Sequence, residues 1–204
     1  MSDPTEITGI LLREFQQMAW VDPKQVLVNL RWLEQHLPDR MDERVRRLRT
    51  NQLKEWREAR EAALFAFGIS DQVLKRPVFV TKSQNRDFDF VVRWESDNTH
   101  HFFPAQLKEL PPDDINPRVA LDDLFDKLAK YSGKTDLSVV ISINRRSRFL
   151  FEPWTRPDKP RIKELWYMGC ESPDQSRWFI FGSVLEQNAR KYEFSYPEGN
   201  PNVA

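Results

Sequence analysis

Carboxylate, amide and ammonium groups alternate with apolar residues along two neighbouring segments of this chain. The segments are residues 87–92, which read DFDFVV, and residues 104–108, which read PAQLK. Because successive side chains of a strand point to opposite faces, Asp89 lies on a polar face of the first segment, and Gln106 and Lys108 share a polar face of the second. Hard oxygen ligands suit Mg²⁺, and an ammonium group suits phosphate. The two segments therefore predict a site for a divalent cation and a phosphate.

The alternation predicts a β-hairpin with strands over residues 88–94 and 101–109. Residues 95–99, which read ESDNT, have the chemistry of the turn between them. On the first strand we expect the aromatic and branched side chains to share the face opposite the aspartates: Phe88, Phe90, Val92 and Trp94.

The register of this hairpin decides whether the polar groups meet. Residues directly opposite each other in an antiparallel pair point to the same side of the sheet. Pairing Glu95 with His100 would set Asp89 opposite Gln106 and gather the polar side chains on one face. A slip of one residue would move Gln106 to the other face and disperse the site.

Helical and strand patterns alternate around the hairpin. Apolar periodicity, caps and breakers predict helices over residues 5–20, 23–38, 39–67 (ending at Gly68) and 121–131, and strands over residues 77–81, 137–143, 165–168 and 178–181. The run 137–143 is continuously apolar or small, which indicates a buried central strand. This order favours a mixed α/β sheet.

Length and composition favour one folded domain with short additions. The chain has 204 residues and is 40% hydrophobic, which is enough for one well-packed core but cramped for two. We expect residues 1–38 to form an N-terminal helical extension, residues 39–196 to form the α/β domain, and residues 197–204 to form a flexible tail.

Charge and cysteine content exclude several classes of protein. Lys+Arg and Asp+Glu both number 31, so no global positive field indicates a nucleic-acid partner. Cys170 is the one cysteine, which excludes an internal disulfide framework and a cysteine-rich zinc site and favours a reducing compartment. Neither a signal sequence nor a run of membrane-spanning length is present. These features predict a soluble cytoplasmic protein with no membrane partner.

The order helix, strand, strand, strand, helix, strand, with an aspartate in the second strand and Gln106-Leu107-Lys108 in the third, resembles the PD-(D/E)XK nuclease superfamily. In that superfamily the third-strand motif is written (E/Q)-x-K. The resemblance covers roughly residues 54–145. It implies a restriction-endonuclease-like mixed β-sheet flanked by helices, and a metal-dependent endonuclease that hydrolyses phosphodiester bonds in DNA.

The same resemblance implies roles for particular residues. Asp89, with Asp87 as its substitute, would be the metal-binding aspartate, Lys108 the active-site lysine, and Gln106 the second metal ligand in the place of a carboxylate. The metal would be Mg²⁺ or Mn²⁺. Many members add a glutamate from the helix before the first strand.

The choice of that helix glutamate is open. Spacing to Gly68 favours Glu58, whereas helical phase brings Glu55 nearer the alanine stripe of the helix, and Glu61 lies further round.

A second hypothesis is a non-catalytic module for nucleic-acid binding or protein interaction on the same fold, since a neutral amide at Gln106 is a weaker Mg²⁺ ligand than a carboxylate. A homodimer is one option for its assembly. The aromatic residues of the C-terminal third could stack on bases, but we expect most of them to pack in the core: Trp154, Trp166, Tyr167, Trp178 and Phe179.

Overall fold

The computed structural model describes residues 9–36, 53–83, 88–128, 137–145, 149–155 and 160–201. Its helices are α1 (Gly9–Gln17), α2 (Pro23–His36), α3 (Lys54–Gly68), a π-helix (Ile69–Leu74) and α4 (Leu121–Leu128). Its strands are β1 (Val78–Lys82), β2 (Phe90–Ser96), β3 (Thr99–Leu110), β4 (Ser138–Ile143), β5 (Glu164–Cys170), β6 (Arg177–Gly182) and β7 (Arg190–Ser195).

The seven strands form one mixed sheet in which spatial order follows chain order, β1 to β7. β1, β2 and β3 form an antiparallel meander, β4 is parallel to β3, and β5 is parallel to β4. β6 and β7 return antiparallel. A parallel neighbour requires a crossover, and α4 lies in the connection from β3 to β4. The predicted mixed α/β class is therefore confirmed.

Strict alternation of side chains divides the core into two layers, one on each face of the sheet. Val92, Ala105, Val140 and Met168 pack with α2 and α3 on one face, which we call the α3 face. Side chains on the other face pack with α1 and α4, and we call this face the α4 face. Its strand residues include Val91, Val139, Ile141, Leu165 and Tyr167. Every strand from β2 to β6 contributes to both layers, as expected for a sheet covered on both sides.

The α-helical part of the third helix ends at Gly68, as predicted, but Gly68 is not a left-handed cap. Gly68 has helical backbone angles, and the chain continues as the π-helix until Lys75, whose φ of 53° is left-handed. Gly68 serves packing instead, because a Cβ there would lie 2.7 Å from the ring of Phe194 on β7. The predicted residues 39–52 of that helix lie outside the described residues.

Helix α2 is built into the main core. The Asp22 side chain accepts the Lys24 backbone N–H at 2.8 Å, which is the predicted N-terminal cap. Leu27 is fully buried in the α3-face core, and its carbonyl accepts the Tyr196 hydroxyl at 2.9 Å. The expected domain boundary at residues 38–39 lies outside the described part of the chain.

The beginning of the expected C-terminal tail also contacts α2. Pro197 is buried, and the Asn200 carbonyl accepts a hydrogen bond from the Gln25 side chain at 3.4 Å. Residues 202–204 are not among those described.

Candidate functional site

The hairpin has the predicted register from the turn to Phe90 and Ala105, but the predicted pairing of Asp89 with Gln106 is wrong. Glu95 pairs with His100, and pairing continues to Ser96 and Thr99. The loop is thus two residues long, shorter than the four residues expected between Glu95 and His100. Asp97 and Asn98 have φ values of 50° and 57°, which suit the type I′ turn that matches the twist of a two-residue hairpin.

A bulge interrupts the hairpin at Asp89. Ala105 is the Cα partner of Phe90, yet its carbonyl also accepts the Asp89 N–H at 2.9 Å. Two residues of the β2 side thus oppose one residue of β3, which is the pattern of a β-bulge. The extra residue breaks the alternation, so Phe88 packs on the α4 face and Phe90 on the α3 face. The prediction that Phe88 and Phe90 share a face is wrong for this reason.

The bulge directs the Asp89 carboxylate to the main chain of β3. Its Oδ2 accepts the Leu107 backbone N–H at 2.7 Å, within the range of a charge-assisted hydrogen bond. This bond holds Asp89 against the peptide group that links Gln106 and Leu107, at the place where regular β2–β3 pairing ends. Asp87, the predicted substitute, lies outside the described residues.

The side chains of Gln106 and Lys108 project from β3 on the α4 face. They pair with Val139 and Ile141 of β4, whose side chains pack in the α4-face core. Gln106 is 9% exposed, and Lys108 is half-buried. The predicted sharing of one face by these two side chains therefore agrees with the structure.

The helix glutamates lie on the other side of the sheet. Glu58 forms ion pairs with Lys54 and Lys82, each at 3.5 Å, and Glu55 is exposed and lies 3.8 Å from Lys82. Glu61 is buried at 6% exposure. Because α3 packs on the α3 face, the structure does not bring any of the three glutamates to the face that carries Gln106 and Lys108.

Glu61 forms a polar network that the sequence reasoning did not find. Its Oε1 accepts hydrogen bonds from Ser142 Oγ and Asn144 Nδ2, each at 3.1 Å. Asn144 Nδ2 also donates to Glu109 Oε1 at 2.8 Å, and Glu109 Oε2 lies 3.7 Å from Arg57 Nε. We call these five residues the Glu61 network. It joins α3 to the carboxyl ends of β3 and β4.

Burial and the negative charge of Glu109 raise the pKa of Glu61 to about 7. Hydrogen bonds from Asn144 and Ser142, and the charge of Arg57, act in the opposite direction. Glu61 therefore changes its charge near neutral pH. A signal was present in the sequence: Ser138 and Ser142 interrupt an otherwise apolar buried strand with a spacing that places both on one face.

The aromatic residues that were considered for base stacking contribute to packing in the structure. Trp166, Tyr167, Trp178 and Phe179 are buried, which confirms core packing for these rings. Trp154 is half-buried, with its ring centroid 5.0 Å from that of Phe125.

The thiol of Cys170 is also part of local structure. It donates to the Ser172 carbonyl at 3.0 Å, and burial raises the pKa of this thiol. That shift is opposite to the one that activates a cysteine nucleophile.

No protein-family model, curated protein or solved structure matches this chain. Helices of membrane-spanning length and hydropathy are absent from the described part of the chain. Within the same part, no three histidine, cysteine, aspartate or glutamate side chains are grouped so that they could hold a metal ion.

Proposed function

We propose that this protein is a metal-dependent nuclease that hydrolyses phosphodiester bonds, with DNA as the first substrate to test. The observation that carries the proposal is the hydrogen bond of 2.7 Å from the Leu107 N–H to Asp89. It holds the carboxylate against the short segment of β3 that also carries Gln106 and Lys108. The resemblance of this pattern and of the element order to PD-(D/E)XK nucleases supports the reaction class.

The donor set fits a hard divalent cation. Asp89 offers a carboxylate and Gln106 an amide oxygen, and Mg²⁺ is commonly held by one or two carboxylates together with water molecules. Such an ion, Mg²⁺ or Mn²⁺, supplies a more acidic bound water and stabilises charge on the phosphoryl oxygens. The Leu107 N–H orients the Asp89 carboxylate, which is the role of outer hydrogen bonds at metal sites. The Lys108 ammonium neutralises negative charge that develops on the phosphate.

This proposal does not use a helix glutamate. Glu58, the first choice from spacing, is engaged by Lys54 and Lys82, and it lies on the α3 side of the sheet. The chemistry is assigned to Asp89, which directly precedes β2, and to Gln106 and Lys108 on β3.

The test is cleavage of supercoiled plasmid and of single-stranded oligonucleotides with Mg²⁺, with Mn²⁺ or with chelator. We expect metal-dependent cleavage by the native protein and a loss of about a hundredfold or more in Asp89→Asn and Lys108→Ala. Asp71→Asn and Lys24→Ala remove the same chemical groups from exposed positions outside the site and should keep the native rate. Equal cleavage by the native protein and Lys108→Ala would show that a contaminant cleaves the DNA, and the proposal would be wrong.

A non-catalytic nucleic-acid-binding or protein-interaction module on the same fold is the second candidate. The observation that favours it is the division of polar groups between the two faces: Gln106 and Lys108 lie on the α4 face, whereas the glutamates of α3 lie on the other. A binding module predicts that labelled DNA binds without cleavage and that Mn²⁺ leaves the melting temperature unchanged. A rise in melting temperature with Mn²⁺ that is lost in Asp89→Asn contradicts this candidate.

A further inference from the structure

Helix α3 becomes buried from Glu61 onward. The residues before it in this helix, from Lys54 to Arg60, are exposed or half-buried, whereas Ala62 to Ala66 are all buried. The first two turns of α3 therefore have few apolar contacts, and polar contacts attach them to the sheet. Segments of this kind open at lower free energy than the core.

The Glu61 network closes a ring between α3 and two strand ends. Arg57, one turn before Glu61, faces Glu109 on β3 at 3.7 Å. The Asn144 amide at the end of β4 donates to Glu109 at 2.8 Å and to Glu61 at 3.1 Å. One amide nitrogen thus bridges two carboxyl groups that belong to different elements.

We propose that Glu61, Asn144 and Glu109 form a protonation-dependent latch that holds the first half of α3 on the carboxyl ends of β3 and β4. With Glu61 neutral, the ring contains one carboxylate, Glu109, and one guanidinium, Arg57. With Glu61 ionised, two carboxylates, the buried Glu61 and the half-buried Glu109, share the Asn144 amide, and the contact between helix and sheet weakens.

The charges around Glu61 determine the direction of this effect. Among the described residues, Glu109 faces it from β3 and Arg57 from its own helix, while β4 contributes the uncharged Ser142 and Asn144. Other ion pairs attach the same turns of α3 elsewhere: Glu58 to Lys82 on β1, and Arg60 to Glu34 on α2 at 2.9 Å. Neither pair includes Glu61, so the ring is the part of the attachment that contains the buried carboxyl group.

Amide hydrogen exchange tests the latch in the native protein. Opening exposes Glu61 to water, where its pKa returns from about 7 to the ordinary 4.5, so linkage predicts about tenfold less protection at pH 8 than at pH 6. This loss, after correction for the pH dependence of intrinsic exchange, should occur at the amides of residues 58–64. The amides of β5 exchange through global unfolding, which also releases Glu61, so they should lose about the same factor. The latch is therefore recognised by the protection itself: at both pH values residues 58–64 should be less protected than β5, because they open without unfolding the sheet. Equal protection of the two segments would mean that the proton is linked only to global unfolding, and the latch would be rejected without any variant.

Two glutamine variants on the same helix complete the test. Glu61→Gln resembles the neutral acid in shape, and the protection of its α3 amides should not change between pH 6 and pH 8. Glu58→Gln, the matched control, should keep the native tenfold loss. A tenfold loss that persists in Glu61→Gln, or that disappears in Glu58→Gln, would overturn the assignment to Glu61.

Discussion

Two carboxyl groups of this protein are held in different ways. The Asp89 carboxylate lies at the end of the β2–β3 hairpin and accepts the backbone N–H of Leu107 at 2.7 Å. Glu61 is buried beside a second carboxylate, and burial disfavours the charged form. The first arrangement suits a group that must hold a cation, and the second suits a group that exchanges a proton near neutral pH.

The stability of the protein should therefore depend on pH through Glu61. The pKa of Glu61 is raised from 4.5 to about 7 on folding, so the native state binds more protons than the unfolded state in that interval. The contribution of Glu61 to stability is present below pH 4.5 and is lost as the pH rises through 7, by a total of about 3 kcal/mol. We expect Glu61→Gln to be more stable than the native protein at pH 8 and similar at pH 5. Urea unfolding at both pH values measures the difference, and Glu58→Gln is the control. A Glu61→Gln protein that is less stable at pH 8 would contradict this account.

At the residue scale, the sequence allowed part of the site to be predicted. Alternation and register were enough to place Gln106 and Lys108 on one face, because both depend on local backbone geometry. The bulge at Asp89 was not predicted, since an inserted residue leaves the amino-acid pattern unchanged and alters only which N–H groups pair. The bridge from Asn144 to Glu61 joins residues 83 positions apart, and local patterns contain no information on such a contact.

At the scale of elements, the β2–β3 hairpin sets the positions of Gln106 and Lys108 in the proposed site. A two-residue loop with both residues at positive φ fixes the register, and the register fixes which side chains face α4. The turn at Asp97 and Asn98 thus determines the geometry of a segment about ten residues away along β3.

Substitutions at Asn98 test this dependence. Its φ of 57° is tolerated by glycine and asparagine and is unfavourable for other residues. We expect Asn98→Gly to keep or slightly raise the stability and Asn98→Ala to lower it by about 1 kcal/mol. Asn116→Ala, at an exposed position outside the positive-φ residues, loses only an exposed hydrogen bond of 3.3 Å from the Arg118 N–H and should cost less than Asn98→Ala. Thermal unfolding of the three variants provides the comparison, and an Asn98→Ala protein as stable as Asn98→Gly would contradict the assigned turn.

Other elements differ in how clearly their sequence patterns predict them. β4 was predicted because its six residues are all buried, which produces a continuous apolar or small run. β7 was missed because it is the edge strand and reads RKYEFS, with Phe194 as its one buried residue. Edge strands carry charges on exposed positions, so their composition resembles that of a loop.

At the scale of the whole molecule, the N-terminal helix α2 and the last strands form one unit with the sheet. Arg31 donates to the Gln175 carbonyl at 2.9 Å, and its guanidinium lies 4.1 Å from the centre of the Tyr196 ring. Arg60 of α3 bonds to Glu34 of α2 and to the Gln175 side chain. Three segments that are far apart in sequence therefore share one set of contacts. These contacts were not predicted, because α2 alone has the pattern of any amphipathic helix.

This arrangement predicts that a core substitution in α2 destabilises the entire domain. Leu27 is 0% exposed, so Leu27→Ala should cost about 2–5 kcal/mol through lost burial and a residual cavity. Leu33→Ala, on the same helix but 39% exposed, should cost much less. Urea unfolding followed by both tryptophan fluorescence and far-ultraviolet circular dichroism measures the change.

The two probes distinguish an integrated helix from an independent extension. If α2 folds together with the sheet, both transitions of Leu27→Ala shift to lower urea concentration and still coincide, since one cooperative unit unfolds. If α2 were an extension that unfolds separately, the core tryptophans of β5 and β6, Trp166 and Trp178, would report an unchanged midpoint. The packing of Leu27 in the same core as these rings favours the first outcome.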